Sequence, residues 1–165
     1  MSTARRAGDV GREAVYAAEL AAFDGTLYEA ITPLAELVDL ASRVTASSWW
    51  PHGSIDVVAA RSDARSSSTR QRGAAVPVIR LAAGQMTPAT VLHELAHVLA
   101  GLGAGHGPTY RRAYLDLVGF ALGPTEAGWL REQFDAARLA VAERQGWPAP
   151  SGPADHEAIG GAIAL

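Results

Sequence analysis

The sequence predicts a single α+β domain, and three observations predict it. Apolar residues recur at helical spacing in both the first and the last part of the chain. Two short β-branched runs lie between those parts. A third helical pattern, just after the second run, carries His93-Glu94-x-x-His97. The 165 residues, 48% apolar and 19% charged, suit one globular core. Residues 1–145 read as that domain, and residues 146–165, with Pro148, Pro150, Gly152 and Pro153, read as a flexible C-terminal tail.

Taken in order, residues 9–23 read as a helix with Val15, Ala18 and Ala22 on one stripe and Tyr16, Leu20 and Phe23 beside it. Asp24-Gly25-Thr26 breaks it. Residues 27–43 carry Ile31, Leu34, Leu37, Val38 and Ala41 at helical spacing, and Pro33 points to a start near Thr32 with proline at the first helical position. Residues 54–61 and 75–81 read as strands. The Ser- and Arg-rich stretch 62–73 between them reads as a mobile hairpin loop. Pro77 cannot donate to a ladder, so the second strand is expected at a sheet edge or bulge. Thr87-Pro88 opens a helix that runs to about Ala100, with Leu92, Leu95, Ala96, Leu99 and Leu102 facing the core. Gly101, Gly103 and Gly105 end it and permit a reversal. Pro108 opens the next helix, with Tyr110, Tyr114 and Leu117 along one side. A last helix is expected over 125–144 with Leu130, Phe134, Ala137 and Val141 as its stripe. N-terminal helices, a small sheet with an edge strand, a motif-bearing helix and C-terminal helices therefore make up the expected architecture.

Composition excludes several classes. The formal charge of −3 gives no basic field for nucleic acid. All 14 basic residues are Arg, and Lys and Asn are absent, which reads as the bias of a GC-rich genome. There is no cysteine, so disulfides are excluded and any metal site must use His and carboxylate ligands. No apolar run follows the charged start and none is long enough for a membrane span, so no secretory signal or membrane partner is expected and the cytoplasm is the expected location.

Two imidazoles four residues apart lie on one helical face, the spacing a small tetrahedral cation needs from one rigid element. Glu94 lies between them, placed to take a proton from a metal-activated water. Three of the five His residues, His93, His97 and His106, fall within one short stretch. A His six residues after His97 would complete another known ligand pattern, but Gly103 stands there. Asp116 and Glu126 are carboxylate alternatives for the third ligand, with helix surface as their ordinary role. His106 is nearer, and the glycine reversal can return it to His97. The expectation is one Zn2+ per chain on three neutral imidazoles, with Glu94 as general base. Tyr110, Tyr114, Arg111 and Arg112 are candidates to meet the oxyanion or the substrate. His52, beside Trp49 and Trp50, reads as turn packing, and His156 as a solvent-exposed tail residue. Arg61, Arg65, Arg70 and Arg72 read as solubilising charge.

Residues 91–97, followed by His106-Gly107-Pro108-Thr109-Tyr110, resemble the SprT/Spartan-like metallopeptidases, whose third zinc histidine opens a His-Gly-Pro-x-Phe motif. Tyr110 stands where the Phe usually is. No zinc-ribbon cysteines follow, so the DNA-linked functions of that group are not carried over. A likeness covering more of the chain, to about residue 145, is to a group of actinobacterial and phage metallohydrolases. Gly11-Arg12-Glu13-Ala14-Val15-Tyr16-Ala17-Ala18-Glu19 looks like that group's opening, and Trp50-Pro51, the His-Glu-x-x-His helix, the His-Gly-Pro turn and Gly123-Pro124 follow in the same order. The resemblance implies a zincin-like fold and zinc, with His93, His97 and His106 as ligands and Glu94 as catalyst. It also implies that the first helix packs behind the metal helix. The leading expectation is a zinc metallopeptidase acting on a peptide or protein. A zinc hydrolase of a non-peptide amide or ester, and a non-catalytic metal-stabilised binding module, are the alternatives.

Overall fold

The computed structural model describes residue 9 and residues 11–151. Among these lie five helices, α1 (Arg12–Phe23), α2 (Leu34–Thr45), α3 (Pro88–Ala100), α4 (Pro108–Ala121) and α5 (Pro124–Ala136). Three strands, β1 (Asp56–Ala59), β2 (Ser68–Arg70) and β3 (Val78–Leu81), form one small sheet. The mixed α+β class is as expected.

α3 is the element the others surround. Nine of its thirteen residues are buried, including Val91, Leu92, Leu95 and Leu99. A helix apolar nearly all round belongs inside a fold. Its start follows the sequence reading: Pro88 occupies the first turn, and the Thr87 side chain accepts from the Thr90 N–H. α4 packs along α3, and α2, β2 and β3 cover other parts of it. α4 presents Tyr110, Tyr114 and Leu117 to this core, all fully buried, as expected. α1 packs chiefly on α5, burying Val15, Ala18, Ala22 and Phe23.

The sheet differs from the expected hairpin. Strand order is β1-β3-β2, with β1 parallel and β2 antiparallel to β3. The stretch read as a mobile loop thus contains a strand, β2, which pairs Thr69 with Ile79. β3 is central, not an edge. Pro77 precedes it and lends only its carbonyl, which accepts from Asp56 N at 3.0 Å, so the missing proline N–H costs the ladder nothing. The edges are β1 and β2.

Helix limits also shift. Residues 27–29 form a separate 3-10 turn capped by Thr26, and α2 begins at Leu34 with Pro33 one place before it. α1 begins at Arg12 rather than residue 9; residue 10 lies outside the described residues. α5 stops at Ala136, short of the expected Arg144. Arg138 takes a left-handed φ of 55°, and the chain turns back onto α4. Ala142 N donates to Pro108 O, Arg112 Nε donates to Ala142 O, and Arg144 pairs with Asp116. Trp147, inside the stretch read as tail, is buried and donates to Asp116 Oδ2 at 2.9 Å. Residues 152–165, His156 among them, lie outside the described residues. No described helix is long and apolar enough to cross a membrane.

Candidate metal centre

α3 carries His93 and His97 one turn apart, so both imidazoles leave the helix on the same side. The glycine-rich turn after α3 then brings back His106, two residues before α4 begins. One ring nitrogen from each of the three imidazoles lies within 4.8 Å of the others. His93 and His106 are buried and His97 is half-buried. Glu94, on the adjoining face of α3, is buried at 5% exposure. The three histidines therefore converge, and Glu94 lines a cavity together with His93.

The outward nitrogens are held by carboxylates that sequence reasoning did not single out. Glu19 Oε2, from α1, lies 2.9 Å from His93 Nδ1. Asp9, just before α1, accepts from the His106 backbone N–H at 2.9 Å and bonds His106 Nδ1 with its other oxygen. Gly105 permits that approach: its φ is 54°, and a Cβ there would meet Asp9 Oδ1 at 2.7 Å. A sequence signal for Glu19 existed only in the Gly11–Glu19 likeness. Asp9 had none.

These carboxylates set the tautomers. With each Nδ1–H donating outward, His93 and His106 turn lone pairs inward on Nε2. The two Nε2 atoms lie 3.2 Å apart. Neither can donate to the other in that state, so the pair calls for a shared cation or an added proton. The residues present fit a metal ion. Carboxylate-oriented histidines are also how protein metal sites are ordinarily stiffened.

The electrostatics differ among the three imidazoles. Burial, with the two neighbouring imidazoles adding to it, pushes His97 down to about 3, so it is neutral and ready to ligate. Burial also lowers His106 despite the Asp9 carboxylate. His93 is buried as well, but the Glu19 carboxylate outweighs this and raises it. Burial raises Glu94 above the ordinary carboxylate range, against the opposing pull of His93 and a hydrogen bond from Thr69. That bond, Thr69 Oγ1 to Glu94 Oε2 at 2.6 Å, comes from β2. It fixes one carboxylate oxygen. Thr69 lay hidden in the supposed loop.

Among the other expected site residues, Tyr110 packs its ring against all three imidazoles, with centroids 4.5 Å from His97, 4.8 Å from His106 and 5.4 Å from His93. The Tyr110 hydroxyl donates to His93 O and the Tyr114 hydroxyl to Ala89 O, both at 3.3 Å. Both tyrosines are wholly buried, and burial pushes them well above the ordinary range, so they brace α3 and keep their protons. Arg111 Nε donates to His106 O and so steadies the ligand turn. Both tyrosine hydroxyls and the Arg111 Nε are thus engaged with backbone carbonyls. Asp116 is taken up by Arg144 and Trp147, and Glu126 accepts from Tyr28 Oη, so neither carboxylate is a ligand. His52 stacks edge-on against Trp50 at the surface.

Tyr16 also stands at the site. Its ring lies on His93 with centroids 5.1 Å apart and planes 8° from parallel, and it also meets His106. No protein-family model, no curated protein and no solved structure matches the chain.

Proposed function

We propose that the protein is a zinc-dependent hydrolase of zincin-like fold, acting on peptide bonds. One observation carries this reading: three histidine nitrogens converge beside a buried glutamate. In particular, the Nε2 atoms of His93 and His106 are 3.2 Å apart. Two nitrogens on a tetrahedral zinc, each about 2.0–2.1 Å away, lie about 3.3 Å from one another. The carboxylate partners of His93 and His106, and the lack of cysteine, favour zinc over softer ions. Among the described residues no fourth His, Asp or Glu joins the cluster. Three protein ligands with one position open is the catalytic pattern, and four would be the structural one. That favours an enzyme over a metal-stapled binding module.

His93, His97 and His106 hold the metal, which supplies Lewis acidity toward water and a substrate carbonyl. Glu19 and Asp9 keep the two imidazoles in the ligating tautomer. Glu94 accepts the proton of the attacking water on the oxygen that Thr69 leaves free, and delivers it to the departing amine. Its raised affinity for a proton suits both halves of that task. The edge strand β2 adjoins Glu94 through Thr69, and supports a peptide rather than an ester as substrate.

Metal analysis and peptide-library cleavage test the reading together. The wild type is expected to hold one zinc per chain, and His97→Ala to lose it. Glu94→Gln is expected to keep the zinc and lose about 10²–10⁴-fold in kcat. A wild type that binds no metal, or a Glu94→Gln variant as active as wild type, would sink the proposal.

A further inference from the structure

α1 sets Arg12, Tyr16 and Glu19 at successive turns of one helical face. Glu19 is committed to His93, and Tyr16 lies flat on the same imidazole. The Arg12 guanidinium sits 5.5 Å above the Tyr16 ring centroid, a cation–π distance. Arg12, Tyr16, Glu19, His93 and Glu94 together line a cavity of about 400 Å³. Arg12 is exposed and, among the described residues, its side chain makes no salt bridge or hydrogen bond. A guanidinium is thus steadied beside the metal centre with its donors unspent.

The carboxylates nearby do not neutralise it. Glu19 is bonded to His93 and Glu94 to Thr69. Glu29 also lines the cavity and lies close enough to Glu19 and Asp24 to be pushed up to about 7, chiefly by burial. Acidic walls leave one place in this cavity for an anion, at Arg12. His93 and Glu94 line the same cavity as Arg12, so whatever Arg12 anchors sits near the reacting bond.

From this arrangement we infer that the cavity is the substrate site and that Arg12 is its anion anchor, selecting an acyl compound with a carboxylate close to the scissile amide. The inference rests on the hydrolase reading for the word scissile, but the anion subsite stands or falls by itself. A planar guanidinium with parallel donors matches a carboxylate in two bonds. That carboxylate is either the free C-terminus of a peptide or an acidic side chain beside the cleaved bond.

Equilibrium binding to the full-length protein separates these sources. The probes are N-acetyl-L-alanine, N-acetyl-L-aspartate α-amide and the neutral N-acetyl-L-alaninamide, titrated calorimetrically into wild type, Arg12→Gln and Arg12→Lys, with metal content measured for each. One anionic probe is expected to bind about tenfold or more tighter than the neutral one, as a charge-assisted hydrogen bond warrants. Preference for the first probe identifies a C-terminal carboxylate, and for the second an acidic side chain. Arg12→Gln should abolish the preference without loss of metal, and Arg12→Lys should restore part of it. No preference in the wild type, or one that persists in Arg12→Gln, overturns the inference. Selectivity without bound metal would leave the anion subsite standing and remove the hydrolase reading. Bound metal without selectivity would do the reverse.

Discussion

His93 and His106 each bond a buried or half-buried carboxylate that lies far away along the chain, Glu19 and Asp9. Such a partner orients the ring and raises its basicity, and its loss usually weakens metal binding about 10–100-fold. Glu19→Gln and Asp9→Asn are therefore expected to lower zinc affinity by that factor while the fold persists, as read by competition with a chromophoric chelator. Unchanged affinity in both variants would reduce the two carboxylates to packing. Glu29 makes a second case. Burial, with Glu19 and Asp24 adding repulsion, raises it to about 7 from 4.5. The folded chain then binds a proton more tightly than the unfolded chain does. Its contribution to stability is present below pH 4.5 and is lost as pH rises through about 7. In metal-free protein, Glu29→Gln should raise the melting temperature at pH 8 and leave it unchanged at pH 4.5. After allowance for solvent screening the gain is about 1 kcal/mol. Equal effects at both pH values would refute the assignment. His93, Glu94 and His97 were legible in the sequence because helix geometry ties positions four apart to one face. Glu19 and Asp9 were not, because 74 and 97 residues separate them from their partners and no local rule links such distances.

The elements follow the same division. α3 and α4 were readable almost to the residue, since Thr87-Pro88 and Gly107-Pro108 mark their starts and apolar stripes mark their inner faces. β1 and β3 were readable as strands from Val57, Val58, Val78 and Ile79. β2 was not. Ser68-Thr69-Arg70 has no apolar alternation and is a strand only because β3 offers it an edge. Its cost in legibility was Thr69, the residue that orients Glu94. The end of α5 was misplaced for a related reason. The stripe Leu130, Phe134, Ala137, Val141 continues past Ala136, but Asp116 draws the chain back onto α4 through Arg144 and Trp147. Arg144 grips Asp116 with two bonds, of 2.7 and 2.9 Å, and Asp116 is 7% exposed. Asp116→Ala leaves the Trp147 N–H and the Arg144 guanidinium without their acceptor. Because Arg144 is partly exposed, the expected loss lies at the lower end for broken buried pairs, about 2 kcal/mol. That corresponds to a fall of about 4–8 °C in Tm for a chain of this size. Zinc stoichiometry should stay at wild-type level, because Asp116 is no ligand. A loss of zinc with little change in Tm would reverse that assignment.

Across the whole molecule, the centre ties together segments that are otherwise joined only by packing. α3 supplies two imidazoles, the turn before α4 supplies the third, and Asp9 and Glu19 bring in the N-terminal segment and α1. When both rings are neutral, the two inward lone pairs of His93 and His106 face each other at 3.2 Å in the core of the site. A metal converts that repulsion into a link between all four segments. Because the unfolded chain scatters these ligands, nearly the full binding free energy becomes folding free energy. At free zinc about 1,000-fold above Kd the gain is about 4 kcal/mol, or about 8–16 °C in Tm. The rise should grow with the logarithm of zinc concentration above Kd. It should persist in Glu94→Gln, whose ligands are intact, and vanish in His97→Ala. Differential scanning calorimetry with and without zinc reads each of these outcomes. A shift that survives His97→Ala would place the stabilising ion elsewhere. A shift lost in Glu94→Gln would make Glu94 a ligand, and the base would then have to be sought in another residue.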